Sequence, residues 1–124
     1  GRGGPDPMGV VVSRPRSVPA PKILEAEWQQ QVIDLAHALG WSHLHVRRTI
    51  GKGNKWVTST NRKGWPDLFM WHPTRGFAAV ELKVGANRAT PEQEAVLAEL
   101  AAAGAKAMVA YPDDLDELAR LLGR

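Results

Sequence analysis

Cysteine is absent from the 124 residues, so neither a disulfide framework nor a thiolate zinc site can organise the chain. No apolar run approaches the roughly 20 residues that a bilayer-spanning helix needs. No secretory leader is evident, and the expectation is a soluble protein of the cytoplasm. Also missing are a G-x-x-x-x-G-K-[ST] phosphate loop, a G-x-S-x-G nucleophile elbow and any internal repeat. Charge of neither sign dominates: 16 Lys and Arg face 13 Asp and Glu, for a formal net charge of +3. The resulting pI near 9.6 is compatible with a polyanionic partner without requiring one. The length is that of one domain, able to bury a real core but not a large one.

Residues 1–7 (G-R-G-G-P-D-P) read as foreign to a fold and are expected to be vector-derived, with Met8 as a candidate native start. A V-V-V run then leads into S-R-P-R-S-V-P-A-P, whose repeated prolines argue against helix or central strand. Residues 1–21 are therefore expected to form a flexible N-terminal arm, and residues 22–124 the domain. Arg14 and Arg16 of the arm either touch DNA backbone or a partner, or are simply solvated; composition favours the latter.

Residues 22–39 are patterned as an amphipathic helix. Ile23, Val32, Leu35, Ala36 and Leu39 share a stripe with Trp28, and Gly40 takes the left-handed cap. Glu25 and Glu27 near its start complement the positive helix end. Residues 41–46 (W-S-H-L-H-V) alternate as a strand, with Trp41, His43 and His45 on one face. An H-x-H pair at this spacing can ligate a metal, although solvated or core-satisfied histidines are commoner. Arg47, Arg48, Lys52, Lys55, Arg62 and Lys63 then crowd a segment containing Gly51, Gly53 and Asn54. Such a loop suits phosphate contacts, and because it leads straight into Asp67 it is expected to meet nucleic acid rather than only solvent. Phe69 is expected in the core; Trp65 is either a core or a base-stacking residue.

The stretch from 64 to 83, G-W-P-D-L-F-M-W-H-P-T-R-G-F-A-A-V-E-L-K, reads as strand, turn and strand, punctuated by Pro73 and Gly76. Alternation puts Glu81 and Lys83 on one face and Val80, Leu82 and Val84 on the other. Paired as a hairpin, the strands bring Asp67 near Glu81. Two carboxylates and an ammonium at one place suit a hard divalent cation with oxygen ligands. Thr90 before Pro91, with Gln93 three residues after Thr90, marks a helix start with a capping box, running to about Ala103 with Ala95, Val96, Leu97, Leu100 and Ala101 apolar. A short buried strand at 107–111 and a last helix bearing Leu115, Leu118, Leu121 and Leu122 complete the chain.

Pro66–Asp67 followed by Glu81-Leu82-Lys83 resembles the PD-(D/E)xK nuclease superfamily. The fuller string G-W-P-D-L, V-E-L-K-V and R-A-T-P-E-Q looks like its VRR-NUC branch, whose members include phage proteins related to Holliday junction resolvases. The similarity spans roughly residues 25–122. It implies an α/β fold with a restriction-endonuclease-like core, in the order αβββαβα, with a mixed central sheet flanked by helices. It further implies an endodeoxyribonuclease dependent on Mg²⁺ or Mn²⁺. Asp67, Glu81 and the Leu82 carbonyl would hold the metal, with Glu25 (Glu27 as the fallback) completing the acidic set. Lys83 would orient or activate water and Gln93 would support the site, while Arg88 and Asn87 would meet the backbone of the cleaved strand. The implied partners are branched or junction DNA and a second copy of the chain, in a bacterial host cytoplasm if the gene is phage-borne. A flap, nicking or repair nuclease of the same chemistry, or a DNA-binding module without catalysis, are the alternatives.

Overall fold

Short apolar runs bounded by Gly and Pro become strands, and the two longest periodic stretches become helices. The computed structural model describes residues 9–12, 23–46, 48–50, 56–58 and 62–124. In chain order the elements are β1 (Val10–Val12), α1 (Glu25–Ala38), β2 (Ser42–His45), β3 (Arg48–Ile50), β4 (Trp56–Thr58), β5 (Leu68–His72), β6 (Gly76–Leu82), α2 (Pro91–Ala102) and β7 (Lys106–Ala110). A 3-10 turn (Pro112–Asp114) and α3 (Leu115–Leu122) follow. Five strands form one mixed sheet in the order β1-β7-β6-β5-β2, and β3 pairs with β4 in a separate ribbon.

The β5–β6 hairpin is antiparallel from Leu68 opposite Val80 to His72 opposite Gly76, whose φ of 86° suits glycine at the end of the turn. β6 and β7 are parallel, joined through α2, and β7 is also parallel to β1. Alternation along β6 sorts the two layers. Ala78, Val80 and Leu82 pack with Met108 and Ala110 against Trp28, Val32 and Ala36 of α1 and Leu118, Leu121 and Leu122 of α3. Ala79 packs with Ala107 and Val109 against Leu97 and Ala98 of α2 on the other face. Two buried tryptophans keep their indole N–H groups satisfied: Trp28 Nε1 donates to the Ala110 carbonyl at 3.1 Å and Trp41 Nε1 to that of Leu122 at 3.0 Å. Before α3, the buried Asp114 carboxylate accepts from the Tyr111 backbone N–H at 2.8 Å.

The restriction-endonuclease-like α/β character agrees with expectation, and the order of elements departs from αβββαβα in two places. Val10–Val12, assigned to the arm from sequence, form the edge strand β1, with Val10 and Val11 buried against the sheet. No proline falls between Met8 and Arg14, so this run is free to pair. Residues 1–8 and 13–21 of the arm lie outside the described residues. The basic segment contains the β3–β4 ribbon, whose T-I and W-V-T carry strand-forming side chains between the charges. Smaller differences concern ends and faces. α1 starts at Glu25 after the extended Leu24, and β2 is Ser42–His45. α2 ends at Ala102 and buries Ala98 where Ala95 is exposed.

The last turn of α1 and β2 bring histidines together. Gly40, with φ of 88°, reverses the chain, and His37 Nε2 comes to lie 2.9 Å from His43 Nδ1. Gln29 Nε2 lies 3.2 Å from His45 Nδ1 on the same two elements. Partial burial first, then the charges of His37 and His45, hold the His43 imidazole below its ordinary pKa of 6.5. With a lowered folded pKa, the unfolded chain takes the proton more readily. The stability held above about pH 6.5 is then lost as pH falls through 6.5 towards the folded value. Thermal melts from about pH 7.5 to about pH 5.5 should show a smaller acid-induced drop in Tm for His43→Gln than for the wild-type chain.

Candidate active site

Where β5 begins, Pro66 cannot donate a ladder hydrogen bond, and β6 runs on past the last paired residue, Val80 opposite Leu68. The Leu82 N–H left without a strand partner there is taken by the side chain of Asp67, whose Oδ2 accepts it at 2.8 Å. The Val46 N–H donates to the Asp67 carbonyl at 3.0 Å, tying the end of β2 to the same residue. Asp67 therefore stands at one end of the sheet, beside the last residues of β6.

Glu81 sits opposite Val109 and is only 1% exposed. A buried carboxylate is costly unless hydrogen-bonded and paired. Gln93 Nε2 donates to Glu81 Oε1 at 3.0 Å, and Lys83 Nζ lies 3.5 Å from the same oxygen, an ion pair longer than a tight hydrogen bond. Gln93 is itself held by the capping box: its Oε1 accepts from the Thr90 N–H at 2.8 Å, and its N–H donates to Thr90 Oγ1 at 3.2 Å. The sequence left open whether Gln93 caps its helix or serves the site. One end of its amide caps the helix and the other holds the Glu81 carboxylate. The Lys83 backbone N–H donates to the Ala110 carbonyl at 3.0 Å, so its Cα is anchored in the sheet.

Glycine at position 64 makes this approach possible, a role that sequence reasoning missed. A Cβ there would lie 2.4 Å from the Glu92 carbonyl carbon and oxygen and 2.8 Å from the Gln93 nitrogen, at a φ of 87°. The loop before Asp67 thus packs its backbone directly on the first turn of α2. The available signal was a glycine two residues before Pro66.

Asp67, Glu81, Lys83 and Gln93 are therefore brought together. Glu25 is the first residue of α1 and is exposed, as is Glu27, and neither side chain makes a hydrogen bond or ion pair among the described residues. Gln29, one turn after Glu25, meets His45, and β2 then reaches Asp67 through Val46. This places the start of α1 at the same end of the sheet as Asp67. No group of three or more His, Cys, Asp or Glu side chains arranged around a metal occurs among the described residues. The groups expected to hold a metal, the two carboxylates and the Leu82 carbonyl, offer oxygen alone, the donor type taken by a hard cation that keeps several waters.

Of the residues expected to meet nucleic acid, Lys63 and Arg88 are exposed. Arg62 makes a two-pronged ion pair with Glu99 of α2, Nη1 to Oε1 at 2.7 Å and Nη2 to Oε2. That contact raises the Arg62 pKa and lowers that of Glu99. Arg47, Lys52 and Lys55 lie outside the described residues, as does the side chain of Arg48 in β3. The Tyr111 hydroxyl donates to the Asn87 carbonyl at 2.5 Å, fixing the loop that carries Arg88. Burial raises the Tyr111 pKa, against the opposing charge of Arg88. Phe69 is half-buried and stacks on Phe77 at 5.8 Å; Trp65 is half-buried against Phe69, its indole N–H buried with no acceptor among the described residues.

Gly64→Ala should combine the left-handed backbone with a clash against α2. Chemical denaturation should read a loss of about 1–3 kcal/mol, and a variant within error of wild type would mean that the loop relaxes without strain.

In comparison with known proteins, a family model described as the VRR-NUC domain matches residues 20–114. No curated protein and no solved structure gives a significant match.

Proposed function

Because the chain belongs to the VRR-NUC domain family, nucleases of the PD-(D/E)xK type, we propose that it is a divalent-metal-dependent endonuclease acting on branched DNA. In this reading it works in the manner of a Holliday junction resolvase and as a homodimer. The observation that carries the proposal is the buried Glu81 carboxylate, bonded to Gln93 and facing Lys83, at the sheet end where Asp67 stands. A homodimer suits a junction, because a two-fold pair of sites can cut two symmetry-related strands.

Asp67, Glu81 and the Leu82 carbonyl would hold Mg²⁺ or Mn²⁺, with Glu25 joining directly or through water. When bound, the ion lowers the pKa of its water and polarises the phosphoryl oxygen. The protein side chains do the rest. The Gln93 amide keeps the Glu81 carboxylate in one orientation, so the oxygen donors are set before substrate arrives. The Lys83 ammonium orients the attacking water and offsets negative charge developing on the phosphate. Lys63 and Arg88 on the surface, with Arg47, Arg48, Lys52, Lys55 and Arg62 of the basic segment, would position the phosphate backbone without reading bases. The Asp67 carboxylate also closes the end of the β5–β6 ladder, so Asp67→Asn is a cleaner variant than Asp67→Ala.

The test is cleavage of a synthetic four-way junction beside matched linear duplex, flap and single-stranded DNA, with Mg²⁺, Mn²⁺ or EDTA. The expected result is paired, symmetric, metal-dependent cuts confined to the junction. Lys83→Ala and Asp67→Asn should lower the rate by roughly 10²-fold or more while the fold persists by circular dichroism. Cutting of flaps or linear DNA instead would keep the chemistry and remove the junction preference. A Lys83→Ala protein cutting at the wild-type rate would sink the assignment of the site, and binding without cleavage under any metal would reduce the chain to a DNA-binding module.

A further inference from the structure

Away from the carboxylate site, the far end of α1 and the strand that follows it bring two imidazole nitrogens face to face. His37 Nε2 and His43 Nδ1 are 2.9 Å apart, with ring centroids at 4.9 Å and planes inclined by 45°. An imidazole pair can share a proton at this distance. A small rotation of both rings would turn the same two nitrogens toward a shared transition metal. With Zn–N bonds of about 2.0–2.1 Å in a tetrahedral shell, two ligand nitrogens sit about 3.3–3.4 Å apart. The pair must open by only a few tenths of an ångström, which His37 on the exposed face of α1 and the half-exposed His43 can supply by side-chain rotation.

The chain restricts which histidines take part. The H-x-H spacing of β2 suggested His43 with His45, but His45 Nδ1 is engaged by the Gln29 side chain, and the nitrogen facing His43 comes from the helix. The turn at Gly40 joins the two elements and sets the facing geometry.

We infer that His37 and His43 form a binding site for a borderline transition metal ion such as Zn²⁺, with water completing its coordination. The donor chemistry separates this site from the carboxylates. Neutral imidazole suits Zn²⁺, Ni²⁺ and Cu²⁺, whereas Mg²⁺ prefers oxygen and does not compete for it. An ion here would fasten the C-terminal turn of α1 to β2, whose other end is tied to Asp67 through Val46. Its effect falls on the stability of that layer and needs no part in the chemistry of cleavage.

The experiment is calorimetric titration of the full chain, stripped by chelator, with ZnCl₂ in excess Mg²⁺, followed by thermal melts of the same samples. The wild-type chain should take up one equivalent of Zn²⁺ and melt at a higher temperature with it. His37→Gln and His43→Gln should each lose the saturable step and the Tm rise, while Asp67→Asn keeps both. On the wild-type chain alone, Zn²⁺ should shift the imidazole NMR signals of His37 and His43, a readout that survives if either variant folds poorly. Uptake unchanged in both variants, signals that do not move, or no saturable uptake would overturn the proposal and leave an ordinary imidazole hydrogen bond only.

Discussion

A carboxylate buried between a sheet and a helix has to be stabilised by its neighbours, and around Glu81 those neighbours determine much of the local structure. An ionised group in the interior costs several kcal/mol, on the order of a large part of a domain's net stability. Gln93 and Lys83 offset that cost from two directions, one by a hydrogen bond and one by charge. For the Gln93 amide to reach, α2 must begin at Thr90, and its first turn must lie close over the end of β6. Pro91 and the capping box set the start. Gly64 removes the side chain that would hold the neighbouring loop away. The local sequence features of three segments therefore agree on one placement of one side chain.

Asp67 answers a different need. β6 is longer than its antiparallel partner, so its last residues outrun the ladder, and a proline stands where the next partner would be. The Leu82 N–H is satisfied by a side chain rather than by backbone. A proline that ends one strand and an aspartate that closes the other are thus a structural solution to an overhanging strand. The same solution leaves carboxylate oxygen at the sheet end, against the Leu82 N–H. The overhang of β6 and the carboxylate at its end have one cause, the proline that stops β5 at Leu68.

Much of this was legible before the structure. The hairpin followed from Pro73 and Gly76, the layers from alternation in β6, and the helix start from Thr90-Pro91 and Gln93, because each signal is local and carried by few residues. What was not legible depends on contacts remote in sequence. Val10–Val12 is three residues long and becomes a strand only because β7 offers a parallel edge about 97 positions away (Val10 opposite Ala107). The β3–β4 ribbon hides its branched and aromatic residues among charges that dominate any composition reading. The role of Gly64 is visible only once α2 is laid on it. His37 and His43 lie on elements of different period, so no spacing rule links them, and the H-x-H pattern pointed to His45 instead.

In the basic segment a charge count does not say which cations already have a partner. Six cations precede Asp67 between positions 47 and 63, yet Arg62 spends its guanidinium on Glu99. Exposed pairs of this kind contribute little to stability, because water screens them. What the pair does is set register: Gly64 fits against the start of α2 and Arg62 reaches Glu99 near its end, so the loop lies along the helix that carries Gln93. A phosphate approaching this face would exchange one anion for another at Arg62 at small net cost. An ion pair this exposed is therefore no argument against the phosphate contact expected of Arg62.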